Sequence, residues 1–306
     1  MNSKFRGWLL VAVVAVICGA SVWGVAWYRS REMTPAALLR RMPRSDAMVA
    51  YLDFAALRRS GTLNLIDGTK VAQEPEYQDF VRKSDFDYKQ DLDAVMLTVA
   101  PAGKFLLVRG RFDWKSLRNY VESQSGDCYN SLCRMQGSTP DRRISFFPLQ
   151  SNLMALAVGE DESAALRLQS KAGGPAVTVP DAPVWIMFPG SVLKTAQSLP
   201  DGTRAFARAM ESADLVTLAL VPDGDHLGAK LTIHCRSDQA ASDLAAQLSA
   251  TTELLRKMIA REHERANPAD LSGVLTSGSF RNQGGQVFGY WPLGRAFLQN
   301  MLGGAG

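Results

Sequence analysis

The longest apolar run in the chain, Gly7 to Trp27, carries no charged residue over 21 positions. At about 1.5 Å per residue a helix of that length spans roughly 30 Å of hydrocarbon, so the run predicts a membrane-crossing helix. After it the pattern changes to short apolar or alternating stretches bounded by Pro, Gly and Asp. These predict strands at 48–52, 93–100, 104–111, 144–147 and 153–158, and again at 184–188, 214–221, 227–235, 274–280 and 286–290. Apolar residues three and four apart predict helices at 114–123, 162–169 and 293–301. A longer helix is expected from Ser237 or Asp238 to about His263, with Leu244, Leu248, Leu255, Met258 and Ile259 as its core-facing stripe.

The same order of elements occurs twice. Asp93-Ala-Val-Met-Leu-Thr-Val-Ala-Pro-Ala-Gly103 aligns without gaps to Asp214-Leu-Val-Thr-Leu-Ala-Leu-Val-Pro-Asp-Gly224, sharing D-x-V-x-L-x-x-x-P-x-G. Each copy reads as a strand, a Pro/Gly turn and a second strand. Asp46-Ala47 and Asp181-Ala182 each open the strand before it, and a capped helix follows. The small, Pro/Gly-rich stretch Lys171 to Ala176 separates the two copies. The expected fold class is therefore α+β: an N-terminal transmembrane helix, then two similar β-α-β-β-α-β-β-α domains with largely antiparallel sheets, arising by internal duplication. The expected divisions are a transmembrane signal anchor with basic flanks at 1–31, a first α+β domain at 32–172 and a second at 173–306.

Charge sharpens this picture. The net charge of +4 points to nucleic acid until it is located: four of the 34 Lys and Arg lie in residues 1–31 with no acid, leaving 30 basic against 30 acidic residues. A neutral body without a basic stripe lacks the electrostatic footprint that dominates nucleic-acid affinity, so no nucleic-acid partner is expected. Trp8, Trp23, Trp27 and Tyr28 sit near the ends of the apolar run, where aromatic rings favour the membrane interface. A cleaved signal peptide is the competing reading, with Cys18-Gly19-Ala20 as its cleavage site. The run continues well past Ala20, whereas such cores are about 7–15 residues long, which favours a retained anchor. Arg29, Arg31, Arg40, Arg41 and Arg44 follow the helix and by count would hold the C-terminal part inside. Long domains translocate largely regardless of charge, so the short basic head of Lys4 and Arg6 sets the expectation: a single-pass protein of the bacterial inner membrane with extracytoplasmic, periplasmic domains.

Cysteine placement bears on the compartment. If Asn130-Ser131 is a two-residue turn, Tyr129 faces Leu132 and Cys128 faces Cys133 at a distance a disulfide tolerates. That pairing implies an oxidising compartment; two reduced thiols in a loop are the alternative, and a metal site lacks a second Cys/His pair. Three histidines, His226, His234 and His263, restrict acid-base chemistry. His234 and Cys235 are adjacent on an expected strand and so face opposite ways. No Gly-x-Ser-x-Gly elbow, P-loop, Rossmann glycine fingerprint, HExxH or EF-hand loop is present, and no cofactor or metal is implied. The acidic segment 79–93 matches no calcium loop and reads as a solvated connection. Trp114, at a helix start, and Tyr290-Trp291, at a strand end, are the candidate partner surface.

The anchor together with Tyr51-Leu-Asp-Phe-Ala-Ala-Leu-Arg58 and Gly110-Arg-Phe-Asp-Trp-Lys-Ser-Leu117 resembles uncharacterised single-span bacterial membrane-anchored proteins with tandem α+β domains. The resemblance implies architecture and location and no activity. The expected function is a non-enzymatic, membrane-anchored exported binding or scaffold protein of the cell envelope, with an envelope protein as its partner and residues 7–27 as its membrane contact. The alternatives are an enzyme with a site assembled from scattered residues, for which acidic clusters with Arg109 or Arg111 are the raw material, and a carrier of an apolar ligand between sheet and helices.

Overall fold

A computed structural model describes residues 33–65, 75–137, 139, 141–170, 178–195, 201–223, 226–261 and 266–303. The expected anchor at 7–27 lies outside the described residues. Among those described, no helix is long and apolar enough to cross a membrane.

The strands are β1 (Met48–Leu52), β2 (Leu92–Ala100), β3 (Gly103–Gly110), β4 (Asp127–Tyr129), β5 (Leu132–Gln136), β6 (Arg143–Gln150) and β7 (Leu153–Gly159) in the first half. In the second half they are β8 (Val184–Phe188), β9 (Leu215–Asp223), β10 (His226–His234), β11 (Ser279–Gln283) and β12 (Gln286–Leu293). The helices are α1 (Pro35–Leu39), α2 (Phe54–Arg59), α3 (Pro75–Ser84), α4 (Tyr88–Asp91), α5 (Trp114–Ser123), α6 (Asp201–Met210), α7 (Asp238–Arg261), α8 (Leu271–Ser277) and α9 (Arg295–Gly303). Short 3-10 helices lie at Thr62–Leu65, Ala164–Leu168 and Gly190–Thr195.

The mixed α+β class holds, but one sheet stands where two were expected. Its order is β11-β12-β10-β9-β8-β1-β2-β3-β7-β6-β5-β4, with every neighbouring pair antiparallel. The physical reason is the exposed edge each half would otherwise present: β1 and β8 hydrogen-bond to one another and satisfy both. Their register sets Ala50 opposite Ile186, the third residue of each five-residue strand. Reading outward from this join, both halves run hairpin first (β2-β3, β9-β10), then the last strand (β7, β12), then the one before it (β6, β11). The first half adds the β4-β5 hairpin at its edge.

Alternation along the strands gives the sheet two faces. The front carries Tyr51, Met96, Leu107, Trp185 and Met187 in one buried cluster, roofed by Leu38 and Leu39 of α1 and by Ala164, Ala165 and Leu168 of the 3-10 helix. On the back, α5 closes a cluster with Leu117 and Val121, while α6, α7 and α9 close another with Phe206, Leu244, Leu248, Phe297 and Leu298. The first half is thus covered on both faces. Among the described residues of the second half, none of the buried clusters extends onto the front beyond Ala219.

Three further expectations are corrected. The strand expected at 274–280 is α8 followed by β11, because Asp270 caps a helix there: its Oδ1 accepts from the amides of Ser272 at 2.8 Å and Gly273 at 3.4 Å. The helix expected at 162–169 is a single 3-10 stretch, Ala164–Leu168. The α7 stripe faces the core through Leu244, Leu248 and Thr252, whereas Met258 is 51% exposed where the helix runs past the sheet.

Candidate functional site

The aromatic residues singled out from sequence do not converge. Trp114 sits in the first half, half-buried beside Phe112, and its Nε1 donates to the Ser151 carbonyl at 2.9 Å, pinning the β6-β7 turn to the start of α5. Tyr290 and Trp291 are neighbours on β12 in the second half and face opposite ways. Trp291 is 9% exposed in the back cluster, edge-on to Phe280 with ring centroids 5.3 Å apart, and its Nε1 has no partner among the described residues. Tyr290 lies on the front, where its hydroxyl donates to Asp223. That bond to a carboxylate raises the phenol's pKa.

The cysteine pair is joined as expected. Cys128 and Cys133 are cross-strand partners in the β4-β5 hairpin and form a disulfide. The turn residues Asn130 and Ser131 both have positive φ, 47° and 68°, the backbone of a two-residue hairpin turn. Cys235 is a free thiol whose pKa burial, and then the nearby Asp214, push up. His234 Nδ1 is 3.2 Å from the Gln286 side-chain amide. In the acidic segment, Asp87 caps α4 and Asp91 is paired with Arg111 at 2.9 Å. Among the described residues no three His, Cys, Asp or Glu lie close enough together to hold a metal ion.

Two concave regions lie on the front face among the described residues. The first is a depression of about 440 Å³ over β10, β12 and β11. Cross-strand pairing stacks Lys230 beside Tyr290 and Thr232 beside Phe288, with Arg281 opposite Phe288 on the outer strand. The Arg281 guanidinium lies over the Phe288 ring, 4.9 Å from its centroid, a cation–π contact that holds the cation against the sheet. Lys230 and Arg281 are exposed. Asp223 at the end of β9 accepts from the Tyr290 hydroxyl.

The second is a cavity of about 560 Å³ at the join of the two halves. Tyr51 of β1, 2% exposed, stacks on its cross-strand partner Trp185 with centroids 5.4 Å apart and extends its hydroxyl toward Asp53 Oδ2 at 3.4 Å. Burial, then the Asp53 charge, push the phenol up to about 12, with Arg109 opposing. Asp53 Oδ1 accepts from the Ala56 amide at 2.7 Å, capping α2, while its own amide donates to the Pro183 carbonyl at 2.7 Å. Arg109 of β3 faces Ala94, and continuing the β1 register past Leu52 sets Asp53 abreast of the same alanine. Sequence reasoning named Arg109 as raw material without a place. It passed over Tyr51 and Asp53 as a site, although Asp53 has a signal in its position just before an apolar helix start.

No family model and no curated protein matches the chain. Three crystal structures of TP0453, crystal forms IV, I and III, are similar at 12%, 13% and 12% identity, covering 87%, 87% and 86% of this chain and 96%, 98% and 97% of theirs, with TM-scores of 0.49, 0.45 and 0.46. At those values the likeness carries nothing about chemistry.

Proposed function

We propose that the chain is a membrane-anchored, exported binding protein of the bacterial cell envelope, held by residues 7–27 in the inner membrane, and that its uncovered front face docks another envelope protein. In this reading 32–172 and 173–306 are the two copies of a duplicated α+β domain, and among the described residues only the first is roofed on the front. The observation that carries the proposal is that asymmetry. The front face closed by α1 and Ala164–Leu168 in the first half is, in the second, an aromatic and cationic surface of Lys230, Arg281, Phe288 and Tyr290. Aromatic rings flanked by Arg suit a protein interface, and the two exposed cations Lys230 and Arg281 favour an acidic partner surface. The Cys128–Cys133 disulfide supports an oxidising compartment.

The test is site-specific photocrosslinking of the full chain in intact cells. A photoreactive residue at Phe288 is expected to give a discrete adduct, one at the exposed Lys115 of α5 none, and the K230E/R281E double variant is expected to lose the Phe288 adduct. No adduct at Phe288, or equal adducts at both positions, overturns the proposal. Thiol labelling of unreduced cells checks the compartment, with Cys128 and Cys133 expected to stay unmodified until a reductant is added.

A further inference from the structure

The cavity at the join of the halves contains a half-buried cation, Arg109, with a single hydrogen-bond partner among the described residues. Arg109 lies on the front stripe of β3, two residues after Leu107 and four after Phe105, which are 0% and 1% exposed. Arg109 itself is half-buried, and a guanidinium so placed is favoured by acceptors for its five N–H groups. Among the described residues Arg109 makes a single hydrogen bond, from Nη1 to the Met33 carbonyl at 3.3 Å. It forms no ion pair with Asp53, although both line the cavity. Asp53 is already engaged by the Ala56 amide and the Tyr51 hydroxyl. The rest of the Arg109 fork lines the cavity, open to solvent or to a ligand's oxygens.

The other walls narrow the chemistry. Pro35, Pro180, Pro183 and Pro222 line the cavity, and their fixed φ angles give apolar surfaces that need no ordering when a ligand binds. The volume of about 560 Å³ lies within the range of small-molecule sites. One arginine can compensate one negative charge, and its planar fork matches the two oxygens of a carboxylate. Asp53 and Asp181, also in the lining, repel any anion, and a phosphate dianion with its two charges is disfavoured more than a single carboxylate beside Arg109.

We propose that this cavity binds a small amphiphilic monocarboxylate, its carboxylate bidentate on Arg109 and its apolar body against the four prolines. The site is separate from the protein-docking face, and neither proposal depends on the other. Tyr51 of the lining stacks on Trp185 of the second half.

Titration calorimetry on the full chain in lipid nanodiscs tests this, with hexanoate as the probe and hexanol, hexylammonium and inorganic phosphate as comparators. Hexanoate is expected to bind saturably and each comparator at least tenfold more weakly. R109Q is expected to lose hexanoate binding at least tenfold and R109K to keep part of it. D53N, which preserves the α2 cap because Asn caps as well as Asp, is expected to retain hexanoate and to admit phosphate. If R109Q does not fold, A56L keeps the arginine and fills the cavity from α2, and it is expected to abolish binding. Hexanol binding as tightly as hexanoate, a folded R109Q binding like the parent, A56L binding undiminished, or no saturation at all overturns the proposal.

Discussion

Tyr51 shows how one residue couples the seam to pH. Its phenol is buried against Trp185 and beside Asp53, and both features disfavour the phenolate, raising its pKa from 10.0 to about 12. An unfolded chain releases this proton from about pH 10 and the folded chain only near 12, so the contribution to stability is fully present below 10 and is lost as pH rises from 10 to 12. Y51F removes the titration. At pH 8 it is expected to cost under about 1 kcal/mol, since a 3.4 Å hydrogen bond is a weak one. At pH 11 the variant is expected to gain about 1 kcal/mol relative to the parent compared with pH 8. Urea unfolding at the two pH values checks this, and an unchanged difference would show that the phenol does not titrate with folding. Little of this was legible in the sequence. Tyr51, Asp53 and Arg109 come from β1, the start of α2 and β3, while Pro180 and Pro222 come from the other half, so only the tertiary fold makes them neighbours.

Among the elements, the β4-β5 hairpin was the most legible, because its geometry is local: a two-residue turn sets the register and the register sets the disulfide. The hairpin forms one edge of the sheet, where β4 pairs on one side only. Closing a loop with a sequence separation of 5 restricts the unfolded chain modestly, about 2 kcal/mol by the loop-entropy relation. The double variant C128S/C133S is therefore expected to lose about that much stability in chemical denaturation. Its hydrogen-exchange change should be confined to β4, β5 and the facing end of α5, with exchange in β9 and β10 unaffected. The strand expected at 274–280 shows the opposite case. Val274, Leu275 and Thr276 carry strand-like composition, and the Asp270 cap overrides it, with the Thr276 hydroxyl donating back to the Ser272 carbonyl at 2.7 Å. Propensity there is a fraction of a kcal/mol per residue, which one cap and the burial of a helix face outweigh.

At the scale of the whole molecule, the repeat in the sequence pointed to two sheets and could not reveal that they merge. The information that joins them lies in two five-residue strands, Met48–Leu52 and Val184–Phe188, whose inward residues read as core whichever partner they have. The merger has an energetic consequence. Trp185 and Met187 of β8 and Ala219 of β9 belong to the same buried cluster as Tyr51, Met96 and Leu107, so opening either half uncovers core of the other. Two autonomous domains would unfold in separate steps, whereas a shared sheet and shared core couple them. Calorimetry of the full chain is expected to give one transition for both halves together. W185A, a large-to-small change at a position 1% exposed, is expected to cost about 3–5 kcal/mol and to lower that single transition as a unit. Hydrogen exchange decides the matter independently. In W185A, protection should fall together in β2 and β3 of the first half and β9 and β10 of the second, and a loss restricted to the second half would mean that the seam joins two units without coupling them.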